Sequence, residues 1–215
     1  MRLVLPRLYV ILDAALLPTK KSQMECAASL AEAGVRLLQY RNKSASAREF
    51  LEISRELAKE LVPRGVSFIV NDRADVAALA GADGVHVGQE DLEADSARRV
   101  VGPERWVGVS THNLEQFRRA TATSADYIAV GPIFSTSSKA NPDPVVGIEF
   151  VREVRRLTEK PIVAIGGISL ERAAEVIAAG ADSVAVISGI LRAPDPVEKA
   201  RRYIAALQAA TKAAA

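Results

Sequence analysis

Short runs rich in Val, Ile and Leu recur eight times along this chain, each followed by a longer segment with helical spacing of its apolar residues. This alternation constrains the fold more than any other feature. A strand followed by a helix and then another strand implies parallel pairing through right-handed crossovers. The runs predict strands at 8–12, 37–41, 67–71, 84–87, 106–110, 127–130, 162–165 and 184–187. The segments between them predict helices at 22–33, 47–62, 73–80, 92–101, 114–123, 148–157 and 170–179. A last helix is expected at 195–207, with an Ala-rich tail fraying from about residue 208. Eight such units close into a (β/α)8 TIM barrel more naturally than they form an open sheet, and 215 residues suffice for one without insertions. The expected organisation is therefore one domain over 1–215.

A weak internal repeat accompanies the strands. Ala82-Asp83, Ala125-Asp126 and Ala181-Asp182 each precede a strand, the fourth, sixth and eighth, with Ala33-Gly34 as a looser echo before the second. These positions belong to the N-terminal face of a barrel, where turn chemistry is the expected role. The segment 131–147 is the one long connection expected between a strand and the helix after it, and long loops in compact domains usually carry function.

Charge excludes several classes of partner. The formal net charge is +2 and the basic residues are scattered, which argues against nucleic acid and membrane surfaces. The single cysteine, Cys26, cannot form an internal disulfide. With no signal-peptide pattern at Met1–Pro6 and no apolar run of spanning length, a cytoplasmic location is expected.

Chemistry in a β/α barrel belongs at the C-terminal ends of the strands. The second strand ends in Gln39, Arg41 and Lys43, which share one side by the period of two. Two cations placed together repel, and a bound polyanion would relieve them; solvated charges at a strand end are the alternative. The third and fourth strands end in Asp72 and Asp91. Two carboxylates on neighbouring strand ends suit Mg²⁺, which takes one or two carboxylates plus water and phosphate oxygens. The alternative is that both are helix N-caps, a common role for Asp. His86 is expected to point inward as a packed, hydrogen-bonded residue. Ser110 and His112 close the fifth strand, and the sixth leads into a loop with Thr136, Ser137, Ser138 and Lys139. That loop suits a lid over phosphates, anchored by Pro132 and Phe134. Gly166-Gly167 after the seventh strand and Ser188-Gly189 after the eighth fall where barrels recurrently bind phosphate.

Taken together, Gln39-x-Arg41-x-Lys43, Asn71-Asp72-Arg73, His86-x-Gly88-Gln89-x-Asp91, Gly108-Val109-Ser110, the loop from Gly131 to Lys139 and Ile165-Gly166-Gly167-Ile168 resemble thiamine-phosphate synthases. The resemblance runs in order over nearly the whole chain. It implies an enzyme that joins an aminopyrimidine diphosphate to a thiazole phosphate or carboxythiazole phosphate, with Mg²⁺ as cofactor. By position, Asp72 and Asp91 would ligate the metal and Gln39 would contact the pyrimidine. Arg41, Lys43, Asn71, Ser110 and Lys139 would hold the diphosphate, with Lys139, Ser110 and Arg41 closest to the chemistry. Thr136, Ser137, Ser138, Gly167, Ile187 and Ser188 would hold the thiazole phosphate. Ser137-Ser138 stands where the family often has Thr second, but the hydroxyl is kept. No strong base is expected, because metal and cations would stabilise the leaving diphosphate. Two alternatives remain: a related thiazole tautomerase, and a non-catalytic barrel that binds a phosphate ester. Neither needs the carboxylate pair together with the cations. The resemblance implies small-molecule partners and leaves a homo-oligomer open.

Overall fold

The computed structural model describes residues 3–136 and 143–213, with side chains through residue 210. Eight parallel strands close into a barrel in chain order. They are β1 (Leu8–Asp13), β2 (Leu37–Arg41), β3 (Ser67–Asn71), β4 (Gly84–Val87), β5 (Trp106–Thr111), β6 (Tyr127–Val130), β7 (Ile162–Ile165) and β8 (Ser183–Val186). The helices are α1 (Lys20–Glu32), α2 (Ala47–Leu61), α3 (Ala74–Ala80), α4 (Ala94–Val101), α5 (Leu114–Thr121), α6 (Ile148–Arg155), α7 (Leu170–Ala178), α8 (Ser188–Leu191) and α9 (Pro196–Ala213). The barrel expected from the alternation is thus the observed fold. Two details differ at the C-terminal end. The one-turn helix α8 follows β8 directly, and α9 continues to Ala213 where a frayed tail was expected. The Ala-rich composition that suggested fraying is also the composition with the highest helix propensity.

Two apolar layers hold the barrel. Between sheet and helices, one face of each strand packs against apolar helix residues, among them Leu57 and Leu61 of α2 and Phe117 of α5. Inside the barrel lie Tyr9, Ile11, Leu37, Ile69, Tyr127, Ala129, Val163 and Ala185, each from an alternate strand position. The close approach of one of these dictates a glycine. A Cβ at Gly108 would lie 2.1 Å from the Tyr127 ring, so the ring occupies the space that a side chain on β5 would take.

The Ala-Asp repeat does more than turn the chain. At Asp83, Asp126 and Asp182 the backbone N–H donates across to the first part of the preceding strand, at Phe68, Val107 and Ile162, each at 2.8 Å. The carboxylate of the same Asp then accepts the N–H of that same residue, at 2.8, 2.7 and 2.8 Å. Each Asp therefore clamps two strands together at the N-terminal face and satisfies a donor that the ladder leaves open. Arg98 pairs with Asp126, and Arg155 with Asp182 at 2.8 Å. No helix among the described residues is long and apolar enough to cross a membrane.

Candidate active site

The C-terminal mouth brings the strand-end residues into two groups. The first is charged. Asp13 and Arg41 are register partners on β1 and β2, and their side chains pair at 2.5 Å. Lys43 pairs with Asp72 at the end of β3. The expectation that Arg41 and Lys43 repel one another is therefore corrected: each already has a carboxylate partner. The anion-binding reading of these cations rests instead on their place at the mouth. Asp13 escaped the sequence reading, although its parity with Tyr9 and Ile11 would have put it on the inner face beside Arg41.

Asp72 and Asp91 come together across the ends of β3 and β4. Neither is a helix N-cap; those places go to Arg73 for α3 and Glu93 for α4. Asp91 accepts the Gly88 N–H at 2.8 Å, and its carboxylate neighbours that of Asp72 closely enough for each to act on the other's charge. Burial pushes the Asp91 carboxyl above its ordinary value, the neighbouring Asp72 adds to this, and Lys43 opposes it. Asp72 has φ 62°, the one non-glycine positive φ among the described residues, and its N–H donates to the His86 carbonyl at 2.7 Å. Strained backbone of this kind persists where the surroundings over-determine it, which is common at functional sites. Asn71 ends β3 in register with His86.

The second group surrounds a cavity of about 280 Å³ at the ends of β5 to β8. Ser110, Thr136, Gly167, Ile187 and Ser188 all line it. The loop after β6 is pinned to the end of β7: Ile133 N–H donates to Ile165 O at 2.9 Å and Phe134 N–H to Gly166 O at 3.0 Å. Arg172 lies 4.3 Å over the Phe134 ring, so Phe134 anchors the loop as expected. Gly167 has φ 63°, and a Cβ there would lie 2.3 Å from the Ser135 carbonyl. The two loops can approach only because the side chain is missing. His112 also lines the cavity, with Nδ1 donating to the Gly131 carbonyl at 2.6 Å and Nε2 3.5 Å from the Asp143 carboxylate. Asp143 was not singled out from the sequence, since nothing local ties it to His112. Ser137, Ser138 and Lys139 lie outside the described residues.

Between the groups stand Gln39 and His86. Gln39 is only 2% exposed, and its side-chain nitrogen donates to the Tyr9 hydroxyl at 2.8 Å. His86 is buried and hydrogen-bonded, as expected, to Tyr127 and Ser110. Gln89 donates to the Ser110 carbonyl at 2.6 Å and fixes the backbone at that strand end.

A closed parallel barrel with paired carboxylates and cations on one side of its mouth, and a glycine-walled cavity at β7 and β8 on the other, defines a phosphate-handling β/α-barrel enzyme. Comparison with known proteins narrows the class. Residues 8–190 match the family described as thiamine monophosphate synthase, and the chain belongs to that family. It is 54% identical over 205 residues to a thiamine-phosphate synthase of Koribacter versatilis, covering 94% of this chain and 96% of the relative. A thiamine-phosphate synthase of Chloroflexus aurantiacus is 43% identical over 206 residues, covering 96% of this chain and 94% of that one. Among solved structures, a thiamine phosphate pyrophosphorylase from Pyrococcus furiosus superposes with a TM-score of 0.85 at 33% identity, over 95% of this chain and 96% of that one.

Proposed function

We propose that this chain joins 4-amino-5-hydroxymethyl-2-methylpyrimidine diphosphate to a thiazole phosphate, releasing diphosphate and forming thiamine phosphate; a carboxylated thiazole would also lose CO₂. The observation that carries the reading is the gathering of Asp72, Asp91, Lys43 and Arg41 at a mouth that also holds a glycine-walled cavity of about 280 Å³. That arrangement supports a reading in which the diphosphate lies on the charged side and the phosphate ester in the cavity.

The carboxylate pair fits Mg²⁺. Two neighbouring like charges, one of them partly desolvated, are relieved by a divalent cation, and hard oxygen ligands suit this one. When bound, the metal neutralises charge on the diphosphate and on its leaving oxygen. Lys43 now paired with Asp72 can then turn to the phosphate oxygens. Arg41, set by Asp13, presents a fixed fork to the same anion. Ser110 donates a hydroxyl, Asn71 a side-chain amide and Lys139 a further cation. Gln39, below them, faces the pyrimidine. The C–O bond breaks with its electron pair leaving on the diphosphate, and the aminopyrimidine ring spreads the charge left on its methylene. The thiazole nitrogen, held through its phosphate by Thr136, Ser137, Ser138, Gly167, Ile187 and Ser188, attacks that carbon from close range. No general base is required of the protein. The partners are small molecules, and the place of action is the cytoplasm.

Incubating the purified chain with both substrates and Mg²⁺ tests this. Thiamine phosphate and diphosphate should form in equal amounts and stop on chelation of the metal. Thiazole isomerisation without condensation, or ester binding without turnover, would overturn the reading.

A further inference from the structure

The apolar interior of the barrel is crossed by an unbroken line of polar side chains. Gln39 Nε2 donates to the Tyr9 hydroxyl at 2.8 Å. The Tyr9 and Tyr127 hydroxyls are 3.1 Å apart. Tyr127 lies 3.1 Å from His86 Nδ1, and His86 Nε2 lies 2.8 Å from Ser110 Oγ. Gln39, Tyr9, Tyr127 and His86 are 2, 1, 0 and 7% exposed. Their interior neighbours, such as Ile11, Leu37, Ile69 and Val163, show that aliphatic side chains fill this space without difficulty. A buried polar line must be paired throughout or it destabilises the core. Here it is paired from end to end, and it ends at a residue of the mouth.

The pairing has a direction. An amide nitrogen only donates, so the Tyr9 oxygen accepts from Gln39 and sends its own proton to Tyr127. Tyr127 accepts from Tyr9 and sends its proton to His86 Nδ1. An imidazole that accepts at Nδ1 carries its proton on Nε2, and that N–H donates to Ser110 Oγ. The Ser110 oxygen is then occupied from below, and its own proton is left for the mouth. Burial raises both phenols well above their ordinary value, so both keep the protons this order needs. The opposite order requires Gln39 turned over, accepting through its carbonyl. It would aim the Ser110 proton down at His86 and present lone pairs to the mouth, which repel a phosphate oxygen.

We propose that Gln39, Tyr9, Tyr127 and His86 are positioning residues that hold the Ser110 hydroxyl as a donor toward the diphosphate. This rests on the reading of Ser110 as a diphosphate ligand. Under it, Gln39 does two things: it faces the pyrimidine and sets the polarity of a hydrogen-bond line whose far end meets the leaving group.

Two measurements test it. The first reads the tautomer in the ligand-free wild-type chain, by ¹⁵N spectra of labelled imidazoles in mildly alkaline buffer. There are two histidines, and His86→Gln identifies which signals belong to His86. The expected result is a neutral ring protonated at Nε2 and bare at Nδ1; a proton on Nδ1 overturns the proposal. The second uses inorganic diphosphate with Mg²⁺ as the probe, titrated by calorimetry. Tyr127→Phe keeps the ring and removes one hydroxyl. It should weaken diphosphate binding about threefold to tenfold in the wild-type background. In a Ser110→Ala background the same change should cost less than about twofold, because the line then has no end to act through. Equal losses in both backgrounds would show that Tyr127 does not act through Ser110. Neither measurement needs turnover, so failure of the synthase assay and failure of this proposal are distinguishable.

Discussion

Asp72 shows how a single residue can be legible in kind and opaque in conformation. Its place at a strand end, with Asp91 at the next, was readable from the period of the chain. Its positive φ was not, because it accompanies a backbone hydrogen bond to the His86 carbonyl on β4, a partner distant in sequence. The conformation decides which variant tests the metal site. Asn tolerates the left-handed region, whereas Ala there costs roughly 1–2 kcal/mol in backbone alone. Asp72→Asn should therefore fold within about 1 kcal/mol of the parent and lose roughly 10²–10³ in kcat, with a much weaker Mg²⁺ requirement. Asp72→Ala should show the same loss of rate and a lower melting temperature besides. Parallel melts and metal titrations check both; a fully active Asp72→Asn would remove Asp72 from the metal site. Asp13 teaches the converse. Its parity is legible in the sequence, but a lone acid at the end of an apolar run gives no sign that a cation two elements away needs it.

At the scale of the element, the loops after β6 and β7 form one structure rather than two. The sequence marked both as unusual, through length in one and Gly-Gly in the other. It could not show that Ile133 and Phe134 hydrogen-bond to the end of β7, since that pairing is set by backbone distance across the barrel. Gly167 is where the two loops touch. Gly167→Ala combines a positive φ with a Cβ only 2.3 Å from the Ser135 carbonyl, so one loop must give way. The expected outcome is a KM for the thiazole phosphate raised about tenfold or more, with a smaller change in that for the pyrimidine diphosphate, because the cavity and not the carboxylate pair is disturbed. Steady-state kinetics with each substrate varied in turn decides it. Lys139, outside the described residues, belongs to the same connection. Lys139→Ala should leave the melting temperature unchanged and reduce kcat on the order of 10²–10³, the loss typical of one charge-assisted contact to a developing anion. Wild-type turnover at saturating substrates would make it a solvated lysine and nothing more.

Across the whole molecule, the two faces of the barrel divide the work. The alternation of strand and helix was enough to predict the closed barrel, because parallel connections leave few topologies open. The repeated Ala-Asp was visible too, but its purpose depends on which residue stands across the ladder, and only the closed barrel supplies that. Asp126 is the sharpest case: one carboxylate accepts the Val107 N–H, its own N–H donates to the Val107 carbonyl, and Arg98 pairs with it from outside. Removing that side chain leaves a strand-end donor without its acceptor and takes the carboxylate partner from the mostly buried Arg98 guanidinium, which keeps its carbonyl acceptors at Gly102 and Ser124. Asp126→Ala should therefore cost roughly 2–4 kcal/mol. For a chain of this size that is a fall in melting temperature of roughly 4–16 °C. The mouth, at the other end of the strands, has no part in this clamp. With both substrates saturating, well below the melting transition, kcat should stay within about twofold of the parent. Thermal melts and turnover on the same preparation separate the two faces. A variant that melts normally but turns over slowly would mean that the N-terminal face reaches into the chemistry, contrary to the division drawn from the structure.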